Sequence, residues 1–369
     1  MPPTRKPFER ALWLMALLLV LLPAHAQAQA FMQRRTLVRT FKVSAATTVD
    51  ITNKYGKVHV LPWSNDSVRV SIELQIVSRD SLKMQEILRS IDFEFVASGT
   101  FLTVKTKVGS NMPSIVDDLQ RLAQAITSSE SNVSIDYTVM VPNYVNIRID
   151  NKYGDVYADQ INGNFTLLLS NGDFRVNSLQ GNADLSLKFS NGVITSMNNG
   201  RIDAAYAEIE IGQAGNLTID TKSSRMKLRN VNILKVKSVR DKYFLDNIGF
   251  LYGDGYFSDF EAKVLRQEAS MTLRYGSLNL SEISKEFSFI NLDSQFADLN
   301  LFFARGTSYH LDIVHRGINL HYPVNLGQLL ETVLQAERMT LSSGLIGREP
   351  TEAKVRLKAS DCNVYIIHQ

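Results

Sequence analysis

Along most of the chain apolar residues alternate with polar ones, and the alternation recurs at a longer interval. Asn53-Lys-Tyr-Gly56 returns as Asn151-Lys-Tyr-Gly154, then decays to Ser170-Asn-Gly172 and Ser190-Asn-Gly192. With the glycine as register mark, the marks fall at Gly154, Gly172, Gly192, Ala207, Ser224, Asp241, Ser258, Gly276, Ala297, Arg316 and Cys362. Up to Arg316 the intervals are 18, 20, 15, 17, 17, 17, 18, 21 and 19 residues. The residue two after every mark is apolar or aromatic. Four after, only Ser196 breaks the apolar series, and the position between is mostly polar. Each repeat therefore predicts short strands joined at Gly/Asn corners, since both residues tolerate the left-handed backbone of a sharp bend. One repeat alone cannot bury its apolar face, whereas stacked repeats line a continuous interior. The fold expected is all-β, a single-stranded right-handed parallel β-helix over residues 151–369. At about 4.8 Å per turn, eleven turns make a rod roughly 50 Å long.

Residues 31–150 read differently, as a small α+β N-terminal cap inserted after an incomplete first turn at Gly56. Val68, Val70, Ile72, Leu74 and Ile76 alternate as a half-buried strand, and Val133 to Val141 alternate again. Met84, Ile87, Leu88 and Ile91 are spaced as one helix face, and Ile115, Leu119, Leu122 and Ile126 as another. Such a cap covers strand edges that would otherwise invite aggregation. A helical insert is expected near 325–340, with Asn325 as N-cap and Leu329, Leu330, Val333 and Leu334 on its apolar face. It would seal the far end before Asn363–Ile367 adds a last strand. Trp63 is expected to pack the cap onto the repeats.

Composition adds the compartment. Arg5, Lys6 and Arg10, the apolar run Ala11–Leu22 and the small-residue stretch to Ala30 have the layout of a signal peptide, residues 1–26, with cleavage as late as 30. Cleavage after Ala26 removes three bases and one acid and leaves a net charge of +1, which gives no reason to expect nucleic acid. Cys362 is the sole cysteine, so no intramolecular disulfide forms and no lipid anchor follows the leader. No second apolar stretch reaches the length of a transmembrane span. The mature chain is expected in the periplasm, at the cell surface or outside the cell.

The order of leader, Tyr55-Gly-Lys-Val-His-Val-Leu-Pro-Trp63, Val68-Arg-Val70, helix-bearing insert, Val139-Met-Val-Pro142 and Asn/Gly-marked turns resembles the bacterial exported "putative adhesin" β-helix family. The likeness runs from about residue 45 to the C-terminus. It departs in losing the glycine mark in most turns after Gly192 and in the long insert before Cys362. The resemblance implies a surface or envelope role and carries over no catalytic residue.

Candidate chemistry is sparse. Asp155 and Asp173, and likewise Asp259 and Asp298, follow the marks and can be read as stacked acids for Ca²⁺ or for sugar cleavage. Glu208, Arg225, Lys242 and Lys57 share that position, and mixed charge there reads more simply as solvated corners. Ser308, His310 and Asp312 lie on one strand face about 6.8 Å apart, poor geometry for a proton relay. His310, His315 and His321 match no zinc spacing. No cofactor and no metal is expected.

The position before the mark holds Phe257, Tyr275 and Phe296 on consecutive turns, a candidate aromatic ladder for sugar rings or for an envelope protein. The plainer reading is a corner stack that stiffens the rod, with Asn171 and Asn191 as a short Asn ladder. Taken together these features point to a non-enzymatic binding protein of the envelope. A polysaccharide lyase or hydrolase on the same scaffold, and a periplasmic structural or signalling partner, are the alternatives.

Overall fold

The computed structural model describes residues 30–109, 131–334 and 338–369. The leader and the helix read over Ile115–Ile126 lie outside the described residues. What is described is nearly all β, with one short helix and 22 strands in one mixed sheet.

The repeats pair in parallel. Strands β10 (Phe165–Ser170), β11 (Phe174–Lys188), β12 (Asn191–Ala205), β13 (Glu208–Lys222) and β14 (Arg225–Val239) follow one another, each against the next. Then β14 meets β15 (Lys242–Ile283), and β15 meets β16 (Phe289–Phe303). Equivalent residues face each other in columns, so apolar ones such as Ile209, Met226 and Tyr243 align and are fully buried.

Two marks shift in the observed register. Asn191 faces Glu208, so Ser190, not Gly192, stands level with Ala207. Gly192 instead faces Phe174 from an inward position, where an added Cβ would come within 2.3 Å of that ring. This removes the exception at Ser196, because Ile194, four residues after Ser190, is buried. Arg316 faces Ser360, two residues before Cys362, so Ile318 and not Arg316 takes the mark.

The Asn-Lys-Tyr-Gly motif has a local physical basis. Tyr55 and Tyr153 adopt φ 65° and 58°, the left-handed conformation that turns the chain. The following glycines let backbones meet: a Cβ on Gly154 would lie 2.0 Å from the Gly56 carbonyl oxygen. The Asn151 amide, fully buried, donates to the carbonyls of Gly154 (2.8 Å) and Gly56 (3.0 Å) that the bend leaves without a strand partner. Where glycine is lost, side chains take over. Ser224 Oγ accepts the Ala207 N–H (3.2 Å), Asp241 Oδ1 accepts that of Ser224 (2.7 Å), and Ser258 Oγ accepts that of Asp241 (3.1 Å).

At the N-terminal end β2 (Thr48–Lys54) pairs in parallel with β8 (Asn146–Lys152) and β6 (Phe101–Val108). Beside it, β3 (Val58–Pro62) pairs in parallel with β9 (Val156–Ile161) and β7 (Ser131–Val141). Antiparallel strands close this end: β5 (Ile91–Ala97) on β6, and β1 (Phe31–Lys42) and β4 (Ser67–Ser78) beyond β7. Val68, Val70, Ile72, Leu74 and Ile76 are all buried. Helix α1 (Ser81–Ser90) is capped by Asp80, whose carboxylate accepts from Leu82 and Lys83, and it buries Met84 and Ile87. Trp63 makes a local contact, its indole N–H donating to the Ser67 carbonyl.

The C-terminal end differs from the reading in two ways. Where a helix is expected near 325–340, the described residues form two antiparallel strands, β19 (Leu330–Leu334) and β20 (Met339–Ile346). The apolar spacing there is short enough to suit either structure, and the unpaired edge of β17 (Tyr309–Arg316), on which β20 pairs, selects a strand. The last strands, β21 (Lys354–Ser360) and β22 (Asn363–His368), do not extend the end. They lie between β16 on one side and β17 with β18 (Asn319–His321) on the other.

Candidate functional site

The residue before each mark forms the outer corner. Tyr55, Tyr153, Asn171, Phe189, Tyr206, Ser223, Arg240, Phe257, Tyr275, Phe296 and Asp361 all have φ between 51° and 65°. Left-handed backbone costs a non-glycine residue about 1–2 kcal/mol. Ring stacking, worth roughly 0.5–1.5 kcal/mol per pair beyond burial, offsets it where neighbours are aromatic. The strand spacing brings the rings to stacking distance.

Phe257 and Tyr275 stack with centroids 4.6 Å apart and planes within 5°, and Tyr275 and Phe296 at 5.2 Å and 9°. They remain 50%, 39% and 45% exposed. Because the rings cover one another's faces, they offer solvent mainly their edges, and the outward surface is an apolar ridge. Tyr256, on the strand just before the corner, meets Phe257 edge-on at 4.9 Å and enlarges that ridge. Asp259 flanks it, accepting from Ser277 Oγ at 2.9 Å, and Asp298 accepts the Asn363 N–H at 2.8 Å.

The corner column holds more aromatics than the three singled out by sequence. Tyr55 stacks on Tyr153 at 5.7 Å and Phe189 on Tyr206 at 5.0 Å. Phe189 was hidden by the misplaced mark at Gly192, whereas Tyr55, Tyr153 and Tyr206 directly precede their marks and were legible. Asn191 is not in this column, so Asn171 and Asn191 form no ladder. An asparagine ladder exists at another corner: Asn146 Oδ1 accepts the Asn164 N–H (2.9 Å) and Asn164 Oδ1 that of Asn182 (3.2 Å).

The stacked acids stitch strands together. Asp155 Oδ1 accepts the Asp173 N–H (2.9 Å) and Asp173 Oδ1 that of Asn191 (3.3 Å). Asp155 Oδ2 also accepts from the Tyr157 hydroxyl (3.1 Å). Burial, then this hydrogen bond and the nearby carboxylates, push the Tyr157 hydroxyl up from its ordinary value. Among the described residues no hydrogen bond joins Ser308, His310 and Asp312, and Ser308 Oγ accepts from the Glu349 N–H (3.1 Å). The three histidines separate: His315 contacts Ser342 Oγ at 2.9 Å, His321 stacks on Tyr365, and His310 is exposed. Among the described residues no group of three or more His, Cys, Asp or Glu is placed to hold a metal ion. No helix among them is long and apolar enough to cross a membrane.

No family model matches the chain, and no curated protein matches it. Among solved structures it is similar to a putative cell adhesion protein from Clostridium sporogenes, at 7% identity and TM-score 0.17, covering 91% of this chain and 100% of that one. It is also similar to a putative adhesin from Parabacteroides merdae, at 8% identity and TM-score 0.26, covering 72% and 93%. A third is a putative lipid binding protein from Parabacteroides distasonis, at 11% identity and TM-score 0.22, covering 72% and 96%.

Proposed function

We propose that the protein is an exported, non-enzymatic member of the adhesin-like right-handed parallel β-helix proteins, and that its aromatic corner binds a partner at the cell envelope. Parallel, in-register pairing at offsets of 17 and 18 residues supports the β-helix reading, since crossovers between parallel strands are right-handed with few exceptions. The observation that carries the binding role is the Phe257–Tyr275–Phe296 stack with Tyr256 beside it: four half-exposed rings on a rigid corner. Aromatic side chains held rigid in this way bind with little further loss of entropy. Edges facing outward suit an envelope protein or a polymer chain laid along the ridge better than a sugar ring sandwiched on a face.

The test is binding of the purified mature chain to isolated envelope fractions and to a glycan array, beside a Tyr275→Ala/Phe296→Ala variant with an unchanged circular dichroism spectrum. A loss of roughly tenfold or more is expected if these rings are the anchors; unchanged binding sinks the role. Labelling of intact cells with a membrane-impermeant amine reagent separates the surface from a periplasmic structural or signalling role. A polysaccharide lyase or hydrolase has less support, because Asp155 and Asp173 are engaged in holding adjacent strands together.

A further inference from the structure

At the C-terminal end, sequence order and spatial order part. From Phe303 the chain passes through Ala304–Ser308 to β17 without pairing β17 on β16, and a gap one strand wide is left between them. The chain then runs through β18 and the antiparallel pair β19–β20, and the segment after β20 returns to fill the gap. Residues Lys354–Ser360 pair in parallel with Phe289–Gln295 on one side and with His310–Arg316 on the other. Val355, Leu357, Ala359, Val364 and Ile366 of this segment are buried. Before that segment is in place, β16 and β17 face each other as two open edges above an uncovered core.

We propose that this gap is a strand-acceptor site whose occupant exchanges between copies, so that Lys354–His368 of one chain completes a second copy and receives the reciprocal segment. The contacts that select the occupant all lie in β16, β17 and β18. Asn363 donates from its backbone (2.8 Å) and its side chain (3.1 Å) to Asp298 Oδ1, and Asn319 donates to Asn363 Oδ1 (2.8 Å). His368 stacks on Phe303 and Tyr309 and touches the Tyr309 hydroxyl at 3.1 Å, while Tyr365 stacks on His321 at 4.7 Å. A segment from another copy makes the same contacts, so exchange alters only the connection. That connection, residues 347–353, begins at Gly347 with φ 107° and runs through exposed Arg348, Glu349 and Pro350. Its ties to the rest of the fold are the Gly347 N–H on the Leu326 carbonyl (3.0 Å), the Glu349 N–H on Ser308 Oγ (3.1 Å) and the His310 N–H on the Ala353 carbonyl (2.9 Å). Between them Arg348 and Pro350 are exposed, and a short connection of this kind is where strand exchange yields dimers at low cost. Main-chain pairing on both sides with alternate side chains in pockets is also how donor strands are recognised.

Cys362 supplies the reporter. Ala297 and Cys362 each lie two residues before the paired Leu299 and Val364, and both are buried. Continued back two residues, the register sets the thiol introduced by Ala297→Cys opposite Cys362, one strand spacing of about 4.8 Å away and inside the Cα range of disulfides. The full mature chain is unfolded, refolded under oxidising conditions at a series of concentrations, and resolved on a non-reducing gel with fragments identified by mass spectrometry. Exchange predicts a disulfide-linked dimer joining the introduced thiol to Cys362 of another chain, its ratio to monomer rising about in proportion to concentration. An exclusively intramolecular disulfide at all concentrations overturns the proposal. The wild-type chain gives a second reading free of the substitution. Tagged and untagged copies refolded together are expected to co-purify, and copies mixed after folding are not; co-purification in both cases or in neither rejects exchange.

Discussion

Asp241 is 2% exposed and sits at a corner mark, and among the described residues its hydrogen-bond partners are hydroxyls and backbone N–H groups. Its Oδ1 accepts the Ser224 N–H at 2.7 Å, and its Oδ2 accepts Thr221 Oγ1 (2.7 Å), Ser238 Oγ (2.7 Å) and the Val239 N–H (2.9 Å). In Asp241→Ala the two hydroxyls can turn to the Tyr243 hydroxyl and to Ser258 Oγ, both already within hydrogen-bond distance. The two backbone N–H groups have no such recourse, and each orphaned donor costs about 1–3 kcal/mol. Release of a desolvated carboxylate offsets part of this. The net expected destabilisation is about 2–4 kcal/mol. Asp241→Ser restores the acceptor used by Ser224 and Ser258 at equivalent marks and is expected to recover most of the loss. The assay is urea unfolding followed by circular dichroism, read as a lower midpoint at unchanged m. An alanine variant as stable as the wild type, or a serine variant no better than alanine, would refute the claim that satisfying the corner N–H is what Asp241 does. A more stable alanine variant would mean that the buried charge is a net burden.

Two further predictions follow from the packing. Gly154→Ala places a Cβ against the Gly56 carbonyl, a backbone atom that cannot yield, and is expected to lower stability by several kcal/mol, measured as a fall in thermal midpoint. In a spectrophotometric alkaline titration, burial and then Glu268 push the Tyr252 hydroxyl up to about 12, and burial pushes Tyr137, Tyr243 and Tyr309 up as well. Because folding raises these values, the stability they contribute is whole below the unfolded tyrosine value near 10 and is lost as pH rises through the folded ones. Buried tyrosinates should therefore form only together with unfolding. Tyrosines that all titrate near 10 in a protein still folded would contradict the burial.

Much of this architecture was legible because it rests on local alternation. The apolar columns from Val156 to Leu301 follow from period-2 burial repeated at the length of one repeat, and the glycine corners from backbone that no Cβ permits. Phe257, Tyr275 and Phe296 could be placed one above another because the three lie at one position of consecutive repeats. Gly192 misled the register, since a glycine that makes room for the Phe174 ring reads in sequence like one that makes a turn.

Only the tertiary structure decided the rest. Leu329 to Leu334 carry a pattern open to helix or strand, and the free edge of β17 made Leu330–Leu334 a strand through β20. Cys362 bears the same mark as a terminal repeat, yet its strands lie between β16 and β17, a placement set by pairing partners far apart in the chain. Asp241 reads as one more polar corner, and only the position of its neighbours turns it inward. The amino-acid sequence determined which residues face the core, because burial of alternate side chains is a local rule. Which strand lies beside which depends on edges and partners far apart in the chain, and those exist only once the fold does.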